Sequence, residues 1–284
     1  MGENGNHNGG LPFLTLYNRR VSYYCQMVRL AMVEKGFPFQ TIDVDYLQGQ
    51  TYEPDFVRLN PACEIPVLKV GSPPEETVIC GSQEIIDYLD RFAHRGTDAE
   101  ARPAVDAFRR RCMTVPVSEI SLGVTRDAHL LELADFSQMF RTRLASRVNR
   151  VSVINEKIAA HPELREAYQQ KLARVLHSED QISTPARLRG LLDGLVLFLD
   201  EVDLLLRNNS NGNPLPQQGE SWLFGAEFTN ADMILACILA RVDLLGLAGK
   251  YWDETERIFL ADYYRRLKKR PSFMQQCVPH SSFA

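Results

Sequence analysis

Strand-like and helix-like patterns alternate in the first third of the chain. The apolar run at residues 13–17 predicts a strand, and apolar side chains then recur at helical spacing through Val28 and Met32 until Gly36. Residues 39–44 alternate between two faces and predict a second strand. Strand, helix and strand in this order indicate a βαβ unit.

A hairpin and a helix follow this unit. Residues 66–70 and 77–80 predict strands on either side of a turn of glycine, serine and proline at residues 71–74. Ser82 precedes apolar residues at helical spacing, and we expect its hydroxyl to cap the N-terminus of that helix. With a connecting helix between the two parts, the predicted order is βαβ-ββα.

Helical periods replace strand patterns in the rest of the chain. Leucines along residues 188–206 line one face of a long amphipathic helix, and the polar stretch 208–220 predicts the loop that follows it. Thr229 and Asp232 then form a capping-box pattern before an apolar run, and we expect them to have a structural role. The second part of the chain is therefore predicted to be all-α.

These patterns define two domains, one α/β and one all-α. The glycine- and asparagine-rich start is compositionally a flexible tail. We assign a disordered tail to residues 1–12, the α/β domain to 13–94, the all-helical domain to 95–275 and a second tail to 276–284.

Charge and composition limit the class of partner. The formal net charge is -4 and the sequence pI is about 5.9, so the chain has no overall basic field for nucleic acid. The basic stretch 265–270 is predicted to be a solvated helix end. No apolar run is long enough to span a membrane, and we predict neither a metal site nor a transmembrane segment.

The six cysteines are scattered without paired spacing, and no apolar signal segment precedes them. A secreted protein with a disulfide framework would show both features. We therefore predict free thiols in a reducing compartment and a cytoplasmic protein.

Three segments in this order resemble the landmarks of glutathione transferases: residues 22–30 (SYYCQMVRL), 64–68 (EIPVL) and 228–232 (FTNAD). Residues 56–60 and 85–89 further resemble the ganglioside-induced differentiation-associated protein 1 family, a branch of that superfamily. The resemblance implies a thioredoxin-like N-terminal domain and an all-helical C-terminal domain. It also implies a long helical insertion at about residues 101–185, glutathione as a substrate and a homodimer as the common assembly.

Ser22 is the candidate catalytic residue by this resemblance, because the matching position in transferases holds the glutathione thiolate. It lies where the first strand turns into the first helix, so its hydroxyl could equally serve only as a helix cap. Cys25 is an alternative thiol, and Tyr17, Tyr23 and Tyr24 are alternative hydroxyl donors. Position 22 carries no thiol, which excludes a two-cysteine redox cycle there.

The other glutathione contacts implied by the resemblance are Ile65, Pro66, Ser82 and Gln83. Ile65-Pro66 corresponds to the cis-proline of thioredoxin-like folds, where the backbone before the proline pairs with an extended peptide. Ser82 would bind the γ-glutamyl carboxylate at a helix N-terminus.

The chain departs from the transferase pattern one residue earlier. Transferases carry an acidic or amide residue before this serine, and here the residue is Gly81. Gln83 or Glu84 would therefore have to bind the ammonium group of glutathione.

The resemblance leaves two functions open. The first is a glutathione-dependent enzyme that conjugates electrophiles or reduces mixed disulfides, with the helical domain forming a hydrophobic wall for the second substrate. The second is a non-catalytic module acting in mitochondrial dynamics or redox regulation through protein, metabolite or membrane contacts. A protein partner could bind inserted helices that carry a basic series: Arg141, Arg143, Arg147 and Arg150. A mitochondrial outer-membrane location is the alternative to the cytoplasm if a C-terminal anchor has been removed.

Overall fold

A computed structural model describes residues 12–92, 102–124, 142, 144–209, 221–253 and 255–278. The predicted tails, apart from Pro12 and residues 276–278, lie outside these ranges, as do Arg141, Arg143 and residues 210–220 of the predicted loop. Asn208 and Asn209, which we expected in that loop, instead form the last turn of a helix.

The α/β part is built around a mixed four-stranded sheet in the order β2-β1-β3-β4. β1 pairs in parallel with β2 and antiparallel with β3, and β3 forms an antiparallel hairpin with β4, as the sequence predicts. The strands are β1 Leu14–Asn18, β2 Gln40–Asp43, β3 Val67–Val70 and β4 Thr77–Cys80.

Helices supply the remaining regular structure of the described residues, together with short 3₁₀ turns at Tyr46–Gln48, Gln50–Tyr52 and Pro162–Leu164. Beyond residue 101, every regular element of the described residues is helical, which agrees with the predicted all-α part. The helices are α1 Tyr23–Glu34, α2 Pro54–Leu59, α3 Ser82–Asp90, α4 Arg102–Met113, α5 Val117–Val124, α6 Arg150–Ala160, α7 Arg165–Gln181, α8 Pro185–Asn209, α9 Asn230–Leu244, α10 Ala248–Tyr251, α11 Ile258–Leu267 and α12 Pro271–Cys277.

α1 lies at the centre of the molecule and is buried on almost every side. Leu16 of β1, Leu30 of α1 and Ile234 of α9 are completely buried in one continuous core. α1 contacts α3 within the α/β part and α9 and α12 of the helical part. The two parts therefore share one hydrophobic core, and the N-terminus of α1 lies at their junction.

The helices α6 and α7 pack on the α/β part and form a second, smaller core with it. Tyr52 and Val57 of the α/β part contact Ile154, Tyr168 and Val175 of the two helices in this core. Ion pairs surround it, among them Lys157 with Glu53 at 2.7 Å. The insertion therefore covers one side of the α/β part.

The expected basic face on the insertion differs from the structure. Arg147 and Arg150 are only partly exposed, and both form ion pairs with Glu179. Sequence spacing placed them on one helix face, but Arg147 precedes α6 and only Arg150 belongs to it. Packing of α6 against α7 turns both guanidinium groups towards a carboxylate instead of solvent.

The predicted solvated helix end at residues 265–270 is also wrong in part. Arg270 forms two hydrogen bonds with the Glu34 carboxylate, at 2.6 and 2.5 Å, and its guanidinium lies 4.1 Å from the ring centroid of Phe228. Arg266 lies over the ring of Trp222. These partners come from distant parts of the chain, and local charge patterning cannot show them.

Replacing Tyr168 with phenylalanine tests how the insertion is held. The Tyr168 hydroxyl donates a hydrogen bond to the carbonyl oxygen of Tyr52 at 2.9 Å, and burial raises the pKa of Tyr168 to about 12, so the donor stays protonated at neutral pH. Because the variant leaves a buried carbonyl without this donor, we expect the free energy of unfolding in urea to fall by about 1–2 kcal/mol. Ser152→Ala removes an exposed hydroxyl from α6 and should change it by less than about 0.5 kcal/mol. Equal stability of Tyr168→Phe and wild type would contradict this role.

No helix among the described residues has both the length and the apolar character needed to cross a membrane.

Candidate functional site

A cavity of about 950 Å³ lies where the α/β part, the helical part and the insertion meet. Its lining includes the N-termini of α1 and α3, the loop before β3, and side chains of α5, α7 and α9. Eight of the residues named as candidates line it together: Ser22, Tyr23, Tyr24, Ile65, Pro66, Ser82, Gln83 and Glu84.

Ser22 is the N-cap of α1 and lines this cavity. Its backbone is extended, with φ -72° and ψ 124°, and its hydroxyl oxygen accepts a hydrogen bond from the backbone N–H of Cys25 at 3.4 Å. The cap uses only the hydroxyl oxygen, so the proton can be donated to a second partner. The Ser22 side chain also hydrogen-bonds the Cys25 thiol, so a ligand at this point would compete with that contact. The positive end of the helix dipole also favours an anion at this point.

The alternative thiol and hydroxyl groups are placed differently from Ser22. Cys25 is completely buried in a third apolar cluster, with Phe56 and Ile65, and burial raises the pKa of its thiol. Tyr17 packs against Phe56 with ring centroids 6.4 Å apart and is not among the cavity-lining residues. Tyr23 lines the cavity but is almost fully buried, and burial raises the pKa of its hydroxyl well above 10.

The peptide bond between Ile65 and Pro66 is cis, as predicted, and both residues line the cavity. The Pro66 carbonyl accepts a hydrogen bond from the N–H of Gly81 at 3.2 Å. This bond links the loop before β3 to the start of α3, so the two segments form adjacent parts of one wall.

The start of α3 differs by one residue from the sequence prediction. Gly81, not Ser82, is the N-cap, and Ser82 is the first helical residue. The reason is that Gly81 has φ 98°, in the left-handed region that favours glycine, so the helical conformation begins only after it. The Ser82 side chain nevertheless lies at the helix N-terminus and lines the cavity.

Gln83 is turned towards α4. Its amide nitrogen lies 3.4 Å from the Met113 sulfur, and its amide oxygen accepts a hydrogen bond from Arg109 at 3.4 Å. Glu84 is turned back towards Gly81, since a Cβ added at Gly81 would overlap a carboxylate oxygen of Glu84. The Glu84 carboxylate therefore lies where a side chain at position 81 would begin.

Arg241 of α9 is a cavity residue that the sequence did not reveal. It is almost completely buried and donates hydrogen bonds to the carbonyl of Val21 at 2.6 Å and to the Ser121 hydroxyl at 3.3 Å. Burial lowers the pKa of its guanidinium. An arginine in an otherwise apolar helix pattern was the available signal, and it brings a positive charge next to the residue preceding Ser22.

Cations of the insertion also line the cavity and were missed as site residues. They are Arg147, Arg150, Lys171 and Arg174. Lys171 and Arg174 occur three residues apart on α7, so their shared face was predictable, but what that face meets depends on how the insertion packs.

Thr229 and Asp232 form the predicted capping box at the start of α9, away from the cavity lining. All six cysteines are free, as predicted, with the Cys237 and Cys277 sulfurs 3.8 Å apart. Within the described residues, no group of three or more histidine, cysteine or acidic side chains could hold a metal ion.

Comparison with known proteins gives the family. The model of the "Glutathione S-transferase, N-terminal domain" family matches residues 21–91. Glutathione S-transferase TCHQD of Arabidopsis thaliana is 31% identical over 263 residues, covering 92% of this chain and 88% of that protein. Ganglioside-induced differentiation-associated protein 1-like 1 of Homo sapiens is 28% identical over 277 residues, covering 92% of this chain and 72% of that protein.

A solved structure supports the same fold. The theta class glutathione S-transferase from Xanthomonas axonopodis pv. citri, with glutathione bound, superposes with a TM-score of 0.60 at 18% identity, covering 95% of this chain and 99% of that chain. The thioredoxin-like and all-helical arrangement expected from the sequence is thus confirmed, as is the resemblance to the ganglioside-induced differentiation-associated protein 1 family. The chain belongs to the glutathione S-transferase family.

Proposed function

We propose that the cavity binds glutathione and activates its thiol for conjugation to an electrophile. The observation that carries this proposal is the meeting of Ser22, the cis Ile65-Pro66 segment and the start of α3 in one cavity. In the proposed complex, Ser22 contacts the thiol, the Ile65-Pro66 segment pairs with the cysteinyl backbone, and the start of α3 binds the γ-glutamyl carboxylate. The theta class structure with glutathione bound supports the same ligand for this fold.

The thiol needs help to ionise at neutral pH, because free thiols titrate near pH 8.5. The N-terminus of α1 contributes about 0.3–1 kcal/mol towards an anion, and a hydroxyl hydrogen bond to the charged sulfur about 1.5–3 kcal/mol. Together they lower the pKa of the thiol by roughly one to three units. The thiolate then forms the bond to the electrophilic carbon, and the leaving group departs with its bonding electron pair.

The protein's own thiols near the cavity are poor nucleophiles, which favours conjugation over a mixed-disulfide cycle. Burial raises the pKa of Cys63 and Cys80, two cysteines that line the cavity. Cys25 is the thiol closest in sequence to the Ser22 position, and its burial with a raised pKa makes it a poor nucleophile. A cycle through a mixed disulfide between Cys25 and glutathione would require that buried sulfur to reach the ligand. Conjugation with Ser22 as the thiolate contact needs only a hydrogen bond and forms no covalent bond between the protein and glutathione.

Glu84 takes the role of the acidic residue that Gly81 lacks. Its carboxylate lies in the space of a side chain at position 81, beside the start of α3 where the γ-glutamyl group binds. A glutamate introduced at position 81 would not restore the family's pattern, because φ there is 98° and Glu84 already fills the space. Gln83 is held by Arg109 and does not compete for the ammonium.

Replacing Glu84 with glutamine should weaken glutathione binding by about 10- to 100-fold, the equivalent of one charge-assisted hydrogen bond. Isothermal titration measures this change. The glutathione analogue without the α-amino group should bind wild type and Glu84→Gln equally, because neither can then form the contact. Glu75→Gln is the matched control, since Glu75 is exposed in the β3–β4 turn outside the cavity. Unchanged affinity for glutathione in Glu84→Gln would exclude this role.

The proposed function is tested by titrating glutathione into the purified chain and by following thioether formation with an aryl chloride. We expect a dissociation constant between micromolar and low millimolar, and a product whose mass equals the conjugate. Absence of binding up to about 10 mM, well above the usual range of KM values, would reject the enzyme. That outcome would favour a non-catalytic transferase-fold module.

A further inference from the structure

The insertion brings two cations to the cavity wall beside the residues that precede Ile65. The Lys171 ammonium lies 2.8 Å from a carboxylate oxygen of Glu64, and the Arg174 guanidinium lies 3.7 Å from the same oxygen. Arg174 also donates a hydrogen bond to the carbonyl of Ala62 at 3.0 Å. Two positive charges therefore share one carboxylate at this point of the wall.

The electrostatic effect of this pair reaches the cavity. Burial raises the pKa of the Cys63 thiol to about 11. Lys171 and Arg174 lower this pKa by favouring the anion, and the Glu64 carboxylate raises it. Cys63 and Glu64 line the cavity together with the two cations. The two cations outnumber the one carboxylate that they share, so a second carboxylate would be attracted to this end of the cavity.

The direction of a bound tripeptide determines which of its groups reaches this end. An extended peptide that pairs antiparallel with Ile65 runs opposite to the protein chain. Its γ-glutamyl end lies at the start of α3, which is tied to Pro66 through the N–H of Gly81. Its other end must therefore run past Glu64 towards Ala62, where Lys171 and Arg174 lie.

We propose that Lys171 and Arg174 bind the glycyl carboxylate of glutathione, an inference that rests on the proposed function of the cavity. The surplus positive charge of the pair is compensated by that carboxylate, and the inserted helices thereby complete the glutathione site. The α/β part supplies the contacts for the γ-glutamyl and cysteinyl groups. The position of α7, fixed by the small core around Tyr168, then determines whether the third group is held.

The test compares glutathione with its glycyl monoethyl ester by isothermal titration into the full chain. The ester neutralises the glycyl carboxylate and leaves the γ-glutamyl end unchanged. We expect wild type to bind the ester at least about tenfold more weakly than glutathione, the effect of one charge-assisted contact. In the double variant Lys171→Gln/Arg174→Gln, we expect glutathione to weaken by a similar factor and the ratio of the two dissociation constants to fall close to one.

The double variant Arg58→Gln/Lys157→Gln is the matched control. It removes one arginine and one lysine that also join the α/β part to the insertion, through Glu163 at 3.5 Å and Glu53 at 2.7 Å. Neither residue lines the cavity. We expect this variant to keep the wild-type ratio, which separates a direct contact from a general loosening of the insertion.

Four results would overturn the inference. If wild type binds glutathione and its ester equally, the glycyl contact is excluded and the proposed function still stands. The same conclusion follows if the ratio of the two dissociation constants in Lys171→Gln/Arg174→Gln equals that of wild type. If this variant instead slows only the turnover of a carboxylate-bearing aryl chloride relative to its methyl ester, the two cations serve the second substrate. Wild type that binds neither ligand would contradict the proposed function itself.

Discussion

Asp232→Ala is expected to lower the free energy of unfolding by about 3–5 kcal/mol, because it removes the acceptor of several buried donors. The Asp232 carboxylate accepts hydrogen bonds from the backbone N–H groups of Leu223 and Thr229 at 2.8 and 2.9 Å. It also accepts from the Thr229 hydroxyl at 2.7 Å and from the Tyr263 hydroxyl at 2.9 Å. Alanine leaves these donors buried without that partner.

Urea unfolding monitored by tryptophan fluorescence and by circular dichroism would measure this loss. Asp193→Ala is the matched control, because Asp193 is an exposed acid on α8, and we expect a change within about 0.5 kcal/mol. A loss for Asp232→Ala of less than about 1 kcal/mol would show that water or a shifted side chain satisfies the donors, and the network would then not be the main anchor of α9.

Several elements of the fold were predictable because the sequence signals for them are local. The turn at residues 71–74 separates two strand-like runs, and the hairpin of β3 and β4 forms there. Thr229 and Asp232 are three residues apart, so a capping box could be inferred from spacing alone. Ser22 likewise lies between a strand pattern and a helix pattern, and the structure has it as the N-cap of α1.

What the sequence could not provide were contacts between distant segments. The alternation of charges on α7 gives a face containing Lys171 and Arg174, but only the packing of Tyr168 against Tyr52 brings that face to Glu64. Arg241 needed the same tertiary information. At position 81 the sequence shows that the acidic side chain is missing. It does not show the backbone conformation in which the Glu84 carboxylate occupies the space that this side chain would fill.

Ser22→Ala is expected to reduce kcat/KM for conjugation by about 10- to 100-fold and to raise the pKa seen in its pH profile by about one to two units. In the proposed site the Ser22 hydroxyl proton stabilises the thiolate, and alanine removes this donor but leaves the N-terminus of α1 in place. The ultraviolet absorbance of the bound glutathione thiolate, measured as a function of pH, should give a titration midpoint that is higher by the same amount. The variant also loses the bond from the Cys25 N–H, which costs about 1 kcal/mol of stability.

The pH profile separates catalysis from capping. A hydroxyl that only caps α1 would affect stability but not the pKa of the bound thiol, since the helix dipole remains. Ser178→Ala removes another cavity-lining hydroxyl, one that donates to Glu119 at 3.0 Å, and should leave the profile unchanged. If Ser22→Ala loses stability yet keeps the wild-type pKa, Ser22 is a cap and the thiolate is stabilised by α1 and the nearby Arg241 alone.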